Sequence, residues 1–250
     1  MDPLIRFSAL VRRGLRFRRR FEDAKLAIGG AVAWYPYDSF ANLFYLQRLL
    51  RTAGLSLEEI VGDKPVLDVG AADGAVSFFL DSLGLGVRAI DSSNTNINRM
   101  QGIRALAGHF GSRVAIDDVD LDRLPDLGGD YGLALFLGTL YHLRNPFFAL
   151  DSLAARARFC FLSTRVARWS PDRRVRLDEV PVAYLLDEDE CNSDATNYWV
   201  FSPPGLLRMV KRSGWTVCAS AYSGSPNSDT SSTDGDERAF LLLRGKSVIA

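Results

Sequence analysis

Cysteine is scarce in this sequence, and its number and spacing argue against two kinds of structural site. Only three are present among 250 residues, Cys160, Cys191 and Cys218, and no two of them form a C-x-x-C pair. An odd number of widely spaced cysteines favours neither a disulfide framework nor a zinc site. We therefore expect no bound metal and a reducing compartment, the cytoplasm.

Long apolar runs and a net charge are also missing. No run approaches the roughly 18 residues that a membrane span needs. Arginines interrupt the apolar stretches near the N-terminus, which is unlike a secretory signal. Basic and acidic residues balance at 30 each, so a protein that coats nucleic acid with its whole surface is not indicated, although a local basic patch is still compatible.

The charges that are present are segregated along the chain. Residues 1–25 contain seven arginines and one lysine, with apolar residues at helical spacing between them. This pattern predicts an amphipathic helix over 4–25. Its arginine face is compatible with solvent exposure, contact with RNA, an acidic membrane surface or a partner protein. An organellar presequence is a further alternative, against which Asp2, Glu22 and Asp23 argue. We assign residues 1–59 to an N-terminal helical extension and residues 60–250 to one domain.

From Pro65 onward, short apolar runs alternate with helical patterns. Apolar runs without polar alternation are typical of strands buried on both faces, and so of a parallel sheet covered by helices. The predicted strands cover residues 66–69, 87–90, 113–117, 131–137, 158–164, 216–222 and 238–244. We therefore predict an α/β, Rossmann-like, doubly wound fold with a mostly parallel seven-stranded sheet. Its last two strands, joined without a helix, form an antiparallel hairpin at the edge.

The stretch "VLDVGAADGAVSF" (66–78) has the strand–loop–helix pattern of a nucleotide-binding turn. Gly70 and Gly74 allow a tight turn and a close approach of the backbone to a ligand. Their spacing is neither that of a dinucleotide fingerprint, G-x-G-x-x-G, nor that of a P-loop. Asp91 follows seventeen residues after Gly74, where a carboxylate can accept both hydroxyls of a ribose. These features indicate an adenosine site without provision for a pyrophosphate.

In these motifs the chain resembles the class I S-adenosylmethionine-dependent methyltransferases over about 60–245. "VLDVGAADG" is similar to their first motif, Asp91 to their second, and "DLDRLP" (120–125) to the loop beside the adenine. The resemblance implies S-adenosyl-L-methionine as the cofactor. A Rossmann-type dehydrogenase is the alternative, and the missing third glycine argues against it.

Two further stretches, 137–153 and 197–215, are similar to the bacterial tRNA wobble-uridine carboxymethyltransferases and their relatives. The candidate cofactor-binding residues are Asp68, Gly70, Ala71, Ala72, Gly74, Asp91, Ser92, Ser93, Asp120, Leu121, Asp122, Leu137 and Tyr141. That group holds a carboxylated cofactor with a Trp- and Lys-rich stretch, whereas residues 37–50 contain neither residue. This difference favours ordinary S-adenosylmethionine.

Methyl transfer is an in-line displacement that depends mainly on alignment, and a base is needed only if the acceptor loses a proton early. Tyr141 and His142 follow the fourth strand and are the catalytic candidates, with loop orientation as the alternative role for His142. The acidic run 187–190 would repel phosphate, which favours a small-molecule substrate over tRNA, although a solvated loop is the preferred interpretation of the run itself. A tRNA-modifying enzyme and a non-catalytic nucleotide-binding scaffold are the remaining alternatives.

Overall fold

A computed structural model describes residues 3–30, 32–123, 127–191, 193–229 and 236–246, with side chains from residue 9 onward. The chain forms two compact units. The first contains Met1–Asp120 and Asp130–Leu135, and the second contains Leu121–Gly129 and Phe136–Ala250. Among the helices that are described, none is long and apolar enough to cross a membrane.

The first unit carries most of the parallel sheet. Its elements are α1 (Pro3–Ile28), α2 (Asn42–Ala53), α3 (Leu57–Val61), β1 (Val66–Val69), α4 (Ala75–Asp81), β2 (Val87–Asp91), α5 (Gln101–Phe110), β3 (Ala115–Asp118) and most of β4 (Tyr131–Leu137). The strand order is β3-β2-β1-β4, and β1, β2 and β3 are parallel. The chain thus adds β2 and β3 on one side of β1 and then places β4 on the other side. In such sheets ligands bind at the carboxyl end of the strands at this reversal.

Helix α1 packs onto the first unit through an aromatic cluster. Phe17 lies 5.9 Å from Phe79 of α4 and 5.5 Å from Phe110 of α5, measured between ring centroids. Phe21, 2% exposed, meets Phe40 edge-on at 5.6 Å. The opposite face carries exposed arginines. The amphipathic helix predicted from the sequence is confirmed, and its apolar face covers α4 and α5.

The second unit contains the antiparallel strands. Its elements are α6 (Pro146–Ala154), β5 (Ala157–Val166), β6 (Ala183–Leu185), β7 (Trp199–Phe201), α7 (Pro203–Arg212), β8 (Trp215–Gly224) and β9 (Glu237–Gly245). β9 is antiparallel to β5 and to β8, β6 is antiparallel to β7, and β5 and β7 are parallel. The predicted hairpin of the last two strands is therefore confirmed.

The predicted α/β, Rossmann-like fold with a mostly parallel sheet and antiparallel strands is confirmed, but the described part of the chain contains nine strands and not seven. The two additional strands, β6 and β7, have three residues each and lie between β5 and α7, where the sequence predicted no strand. They pair over a small apolar cluster that includes Leu186, Cys191 and Val200. The predicted boundary between residues 59 and 60 stays a prediction.

Helix α5 begins only at Gln101, ten residues after the end of β2. The side chain of Asn96 accepts hydrogen bonds from the backbone N–H groups of Asn98 and Met100, at 3.1 and 2.9 Å. Arg99 and Met100 have left-handed φ values of 54° and 63°. Local side-chain bonds of this kind compete with helix formation, because they satisfy the backbone in another conformation.

Candidate functional site

The glycine loop after β1 is held in a left-handed conformation at alternate positions. Gly70, Ala72 and Gly74 have φ values of 71°, 51° and 78°. Only glycine adopts this region without strain, and an alanine there costs roughly 1 kcal/mol. The loop is nevertheless pinned, since Gly70 and Ala71 both donate to the carbonyl of Ile90 in β2, at 2.9 and 3.2 Å. Ala72 thus stands where the glycine of a fingerprint would be, and neighbouring contacts compensate for it.

Asp91 ends β2 and organises this loop. Its Oδ2 accepts from the Ala72 N–H at 2.8 Å and from Asn96 Nδ2 at 2.9 Å, and its Oδ1 accepts from the Ser92 N–H at 2.8 Å. A carboxylate has about four acceptor positions, so three of them are used within the protein. One ribose hydroxyl can be accepted directly, whereas accepting both requires Asn96 to turn away.

Asp68 lies in β1 and is fully enclosed. It accepts a hydrogen bond from Ser77 Oγ of α4 at 2.6 Å, so it joins the strand to the helix that the loop connects. Burial raises the pKa of Asp68 to about 6, an effect that Ser77 opposes and the nearby Asp91 reinforces. Burial is also the main cause of the raised pKa of Asp91. Asp68 is thus enclosed and acts through Ser77, whereas Asp91 keeps one open acceptor position that suits a ribose hydroxyl of S-adenosylmethionine. The residues present therefore fit the cofactor that the sequence implies.

The remaining candidates of the first unit lie at the ends of β2 and β3. The Ser93 N–H donates to Asp118 Oδ1 at 2.9 Å, which links the two strand ends where Asp91 and Asp118 are in register. Asp120 lies just beyond β3 and is partly buried. The structure thus brings the predicted residues of this unit to the carboxyl ends of β1, β2 and β3.

The sequence interpretation missed Asp73, which lies inside the loop and is 3% exposed. Its carboxylate accepts from the Tyr35 N–H at 2.7 Å and from Asn98 Nδ2 at 2.8 Å, and it forms an ion pair with Lys25 of α1 at 3.2 Å. An acidic residue beside the second motif glycine was visible in the sequence. Its partners lie 25 to 48 residues away, and no local pattern connects them.

In the second unit, Leu121 is buried and Asp122 stabilises the start of α6. The Asp122 oxygens accept from the backbone N–H groups of Arg144 and Asn145, at 3.0 and 2.9 Å. Asn145, the residue before α6, makes no side-chain cap, and Asp122 instead holds the two residues that lead into the helix. The predicted adenine loop also includes Leu124 and Pro125, which lie outside the described residues.

Leu137 is the last residue of β4 and Tyr141 lies in the segment that follows it; both belong to the second unit. Gly138, directly after β4, donates its N–H to the carbonyl of Ser163 in β5 at 2.9 Å. The Tyr141 ring lies 4.2 Å from that of His142, and the Arg238 guanidinium lies 5.8 Å from the Tyr141 ring centroid. Both Tyr141 and His142 are partly buried, so the two catalytic candidates are neighbours in space.

His142 is oriented by Thr196. Its Nδ1 lies 3.1 Å from the Thr196 carbonyl oxygen and 3.0 Å from Thr196 Oγ1. The Thr196 hydroxyl gives its only proton to Asp194 Oδ1 at 2.6 Å, so both groups facing Nδ1 are acceptors. Nδ1 therefore carries the proton in the neutral ring, and the lone pair is on Nε2.

Burial, with a smaller contribution from the positive charge of Arg238, lowers the pKa of His142, although Thr196 and Asp194 act in the opposite direction. The ring is consequently neutral at physiological pH, which is the state a general base needs. Thr196 and Asp194 were missed from the sequence because only the fold brings them to His142.

Comparisons with known proteins show the family to which the chain belongs. A family model described as a methyltransferase domain matches residues 37–220, well over half of the chain. The N-terminal domain of EvdMO1, solved with SAH bound, is 16% identical with a TM-score of 0.57, over 91% of this chain and 96% of that one. No protein of curated function matches the sequence.

Two other solved structures have the same fold. An S-adenosylmethionine-dependent methyltransferase from Clostridium acetobutylicum ATCC 824 is 10% identical with a TM-score of 0.52, over 83% of this chain and 99% of that one. The cyclase SpnF is 13% identical with a TM-score of 0.55, over 86% of both chains. At these identities the structures establish the fold alone, whereas the family match covers the loop, Asp91 and His142 together. The chain therefore belongs to the methyltransferase-domain family and is an S-adenosylmethionine-dependent methyltransferase.

Proposed function

We propose that the protein methylates a small molecule whose nucleophile loses a proton in the reaction, such as a hydroxyl group, and that His142 takes this proton. The observation that carries the proposal is the fixed tautomer of His142. Because Thr196 offers two acceptors to Nδ1, the basic lone pair of the neutral ring is on Nε2 and is available to an acceptor.

The chemistry then divides between cofactor and protein. S-adenosylmethionine, when bound, supplies a methyl group activated by its positively charged sulfur. This group would pass to the acceptor oxygen, and the electron pair of the carbon–sulfur bond would stay on sulfur. His142 Nε2 removes the proton of the acceptor, and Asp194, through Thr196, favours the imidazolium that results. Tyr141, whose ring lies 4.2 Å from that of His142, is the second catalytic candidate of this segment.

The cofactor is proposed to lie at the loop after β1, with Asp91 accepting a ribose hydroxyl. Gly70 and Gly74 let the backbone approach it, and the N-terminus of α4 adds a positive end. Ser92 and Ser93 lie beside Asp91 and border the ribose. Asp68 supports the loop by accepting a hydrogen bond from Ser77 of α4.

Replacing Asp91 by alanine is expected to weaken binding of S-adenosylhomocysteine by about 1–3 kcal/mol, because hydrogen bonds to a charged group are lost. The measurement is isothermal titration calorimetry, in which S-adenosylhomocysteine is titrated into the variant. The matched control is Asp117→Ala, which removes a carboxylate that pairs with Arg88 on the neighbouring strand at 2.6 Å and leaves the loop intact. Equal affinity in the Asp91 variant and the control would place the ribose elsewhere.

Charge near the second unit's loops supports a small acceptor over tRNA. Asp187, Glu188 and Asp189 are exposed in the stretch between β6 and β7, where they repel a phosphate backbone locally. The exposed arginines of α1 are the observation that favours the tRNA wobble-uridine alternative. The comparisons match the methyltransferase-domain family as a whole and give this narrower group no support.

The two acceptor classes are separated by following the methyl group. We expect label from methyl-labelled S-adenosylmethionine to enter a deproteinised small-molecule extract and to stay out of acid-precipitable tRNA. The tRNA should come from cells lacking wobble modifications, so that its sites are open. Label in the tRNA fraction, abolished by ribonuclease, would overturn the small-molecule proposal.

A further inference from the structure

A buried ion pair connects the N-terminal helix to the loop proposed to hold the cofactor. Lys25 Nζ lies 3.2 Å from Asp73 Oδ2, and the two side chains are only 13% and 3% exposed. An ion pair at the surface contributes little, but removing one partner of a buried pair leaves an uncompensated charge and is strongly unfavourable. Lys25 and Asp73 therefore depend on each other.

The surroundings of Lys25 restrict where its ammonium group can go. It lies 4.9 Å from the ring centroid of Phe21 and 5.4 Å from that of Trp34. Aromatic faces attract cations through their negative potential. Two rings and one carboxylate thus hold a single positive charge at the C-terminal end of α1.

The surroundings of Asp73 are equally restricted. Asn98, which donates to Asp73, also donates to the Ala33 carbonyl at 3.0 Å and accepts from the Gly102 N–H at 3.1 Å. A Cβ at Gly102 would lie 2.3 Å from Asp73 Oδ1, so the carboxylate lies directly against the first turn of α5. Asp73 is therefore held between α5 and Lys25 of α1.

Asp73 stands between the two left-handed residues of the loop, Ala72 and Gly74. Holding its side chain fixes the peptide next to Ala72, whose N–H points at Asp91. Alanine does not favour this conformation by itself, so the loop depends on external contacts to keep it. The Lys25–Asp73 pair is such a contact, and it comes from a helix outside the sheet.

We propose that Lys25 is a positioning residue for the cofactor loop, and that it couples helix α1 to cofactor binding. The coupling works in both directions, since two events linked through one equilibrium affect each other by the same factor. Lys25 and α1 should thus strengthen cofactor binding, and the bound cofactor should stabilise the C-terminal half of α1. The proposal concerns the cofactor alone and does not rest on the identity of the acceptor or on His142.

The test is the affinity for S-adenosylhomocysteine of the full-length Lys25→Met variant, which keeps the apolar stem and removes the charge. We expect it to bind about tenfold more weakly, which corresponds to about 1.4 kcal/mol, a coupling typical of groups in one hydrogen-bond network. Lys25→Arg should recover most of the affinity. The control is Arg18→Met, which removes an exposed ion pair between the same helix and Asp38 and should bind like the wild type.

A purely structural role for Lys25 would give another result. In that case Lys25→Met would lower the melting temperature and leave the affinity of the folded protein unchanged, and this outcome would overturn the proposal. Hydrogen exchange supplies the second readout. Bound S-adenosylhomocysteine should slow amide exchange over residues 17–28 of α1 in the wild type but not in Lys25→Met. If that variant does not fold, Lys25→Met/Asp73→Asn removes both charges, and wild-type affinity in this double variant would equally refute the coupling.

Discussion

Replacing His142 by asparagine is expected to lower kcat by about 10²- to 10⁴-fold, the usual contribution of a general base. The asparagine Nδ2 stands where the imidazole Nδ1 stood, so the donor to Thr196 is retained. The basic nitrogen, Nε2, has no counterpart in the variant. Folding and affinity for S-adenosylhomocysteine should therefore be unaffected while the chemical step is lost, which separates a catalytic role from loop orientation.

The same variant should remove a pH dependence. In the wild type, kcat should rise with pH as His142 loses its proton, and the midpoint should lie below the ordinary histidine value of about 6.5, because burial lowers the pKa of this ring. His109→Asn is the control, since this second histidine is exposed on α5 and the sequence has no others. If His142→Asn had the wild-type kcat, or if its kcat still fell at acidic pH as in the wild type, His142 would be excluded as the base.

A variant of Thr196 tests how much the hydrogen bonds around His142 contribute to kcat. Thr196→Val removes Oγ1, and with it the connection to Asp194, but it leaves the backbone carbonyl that also faces Nδ1. Its effect on kcat should accordingly be smaller than that of His142→Asn. An equal loss would mean that the imidazole acts as a base only when the Thr196 hydroxyl connects it to Asp194.

The features that could be predicted from the sequence are those carried by short stretches. The strand β1, its glycine loop and Asp91 were recognisable because an apolar run, two glycines and a carboxylate stand in a fixed order within 26 residues, from 66 to 91. The terminal hairpin was recognisable because β8 and β9 are each continuous apolar or alternating runs. In these cases the local pattern and the fold agree.

The features that were missed depend on residues far apart in the chain. Asp73 is recognised as part of the site only when Lys25 and Asn98 are known to surround it, and the tautomer of His142 depends on Thr196, 54 residues later. The three-residue strand β6 has no propensity signal of its own and forms because β7 pairs with it. Such contacts are set by tertiary packing, which overrides local preference.

Replacing Gly132 by alanine is expected to destabilise the first unit by about 3 kcal/mol or more, at the upper end of what overpacking costs. Gly132 lies in β4, and its N–H donates to the carbonyl of Pro65 just before β1. A Cβ there would lie 1.8 Å from the carbonyl oxygen and 2.5 Å from the carbonyl carbon of Val61, at the end of α3. These are backbone atoms, so no side chain can rotate away, and either the strand or the helix must move. A glycine within a buried strand often marks such a close approach of two backbones.

The measurement is thermal unfolding, in which about 3 kcal/mol corresponds to a fall in Tm of roughly 6–12 °C for a chain of this size. Gly108→Ala is the matched control of opposite sign. Gly108 is exposed within α5, and a Cβ there would meet nothing within 4 Å, so alanine should stabilise the helix by about 0.5–1 kcal/mol. The same change of one hydrogen to a methyl group should thus raise Tm at one site and lower it at the other. A Gly132→Ala variant as stable as the wild type would show that the backbones of α3 and β4 leave room for a methyl group between Val61 and residue 132.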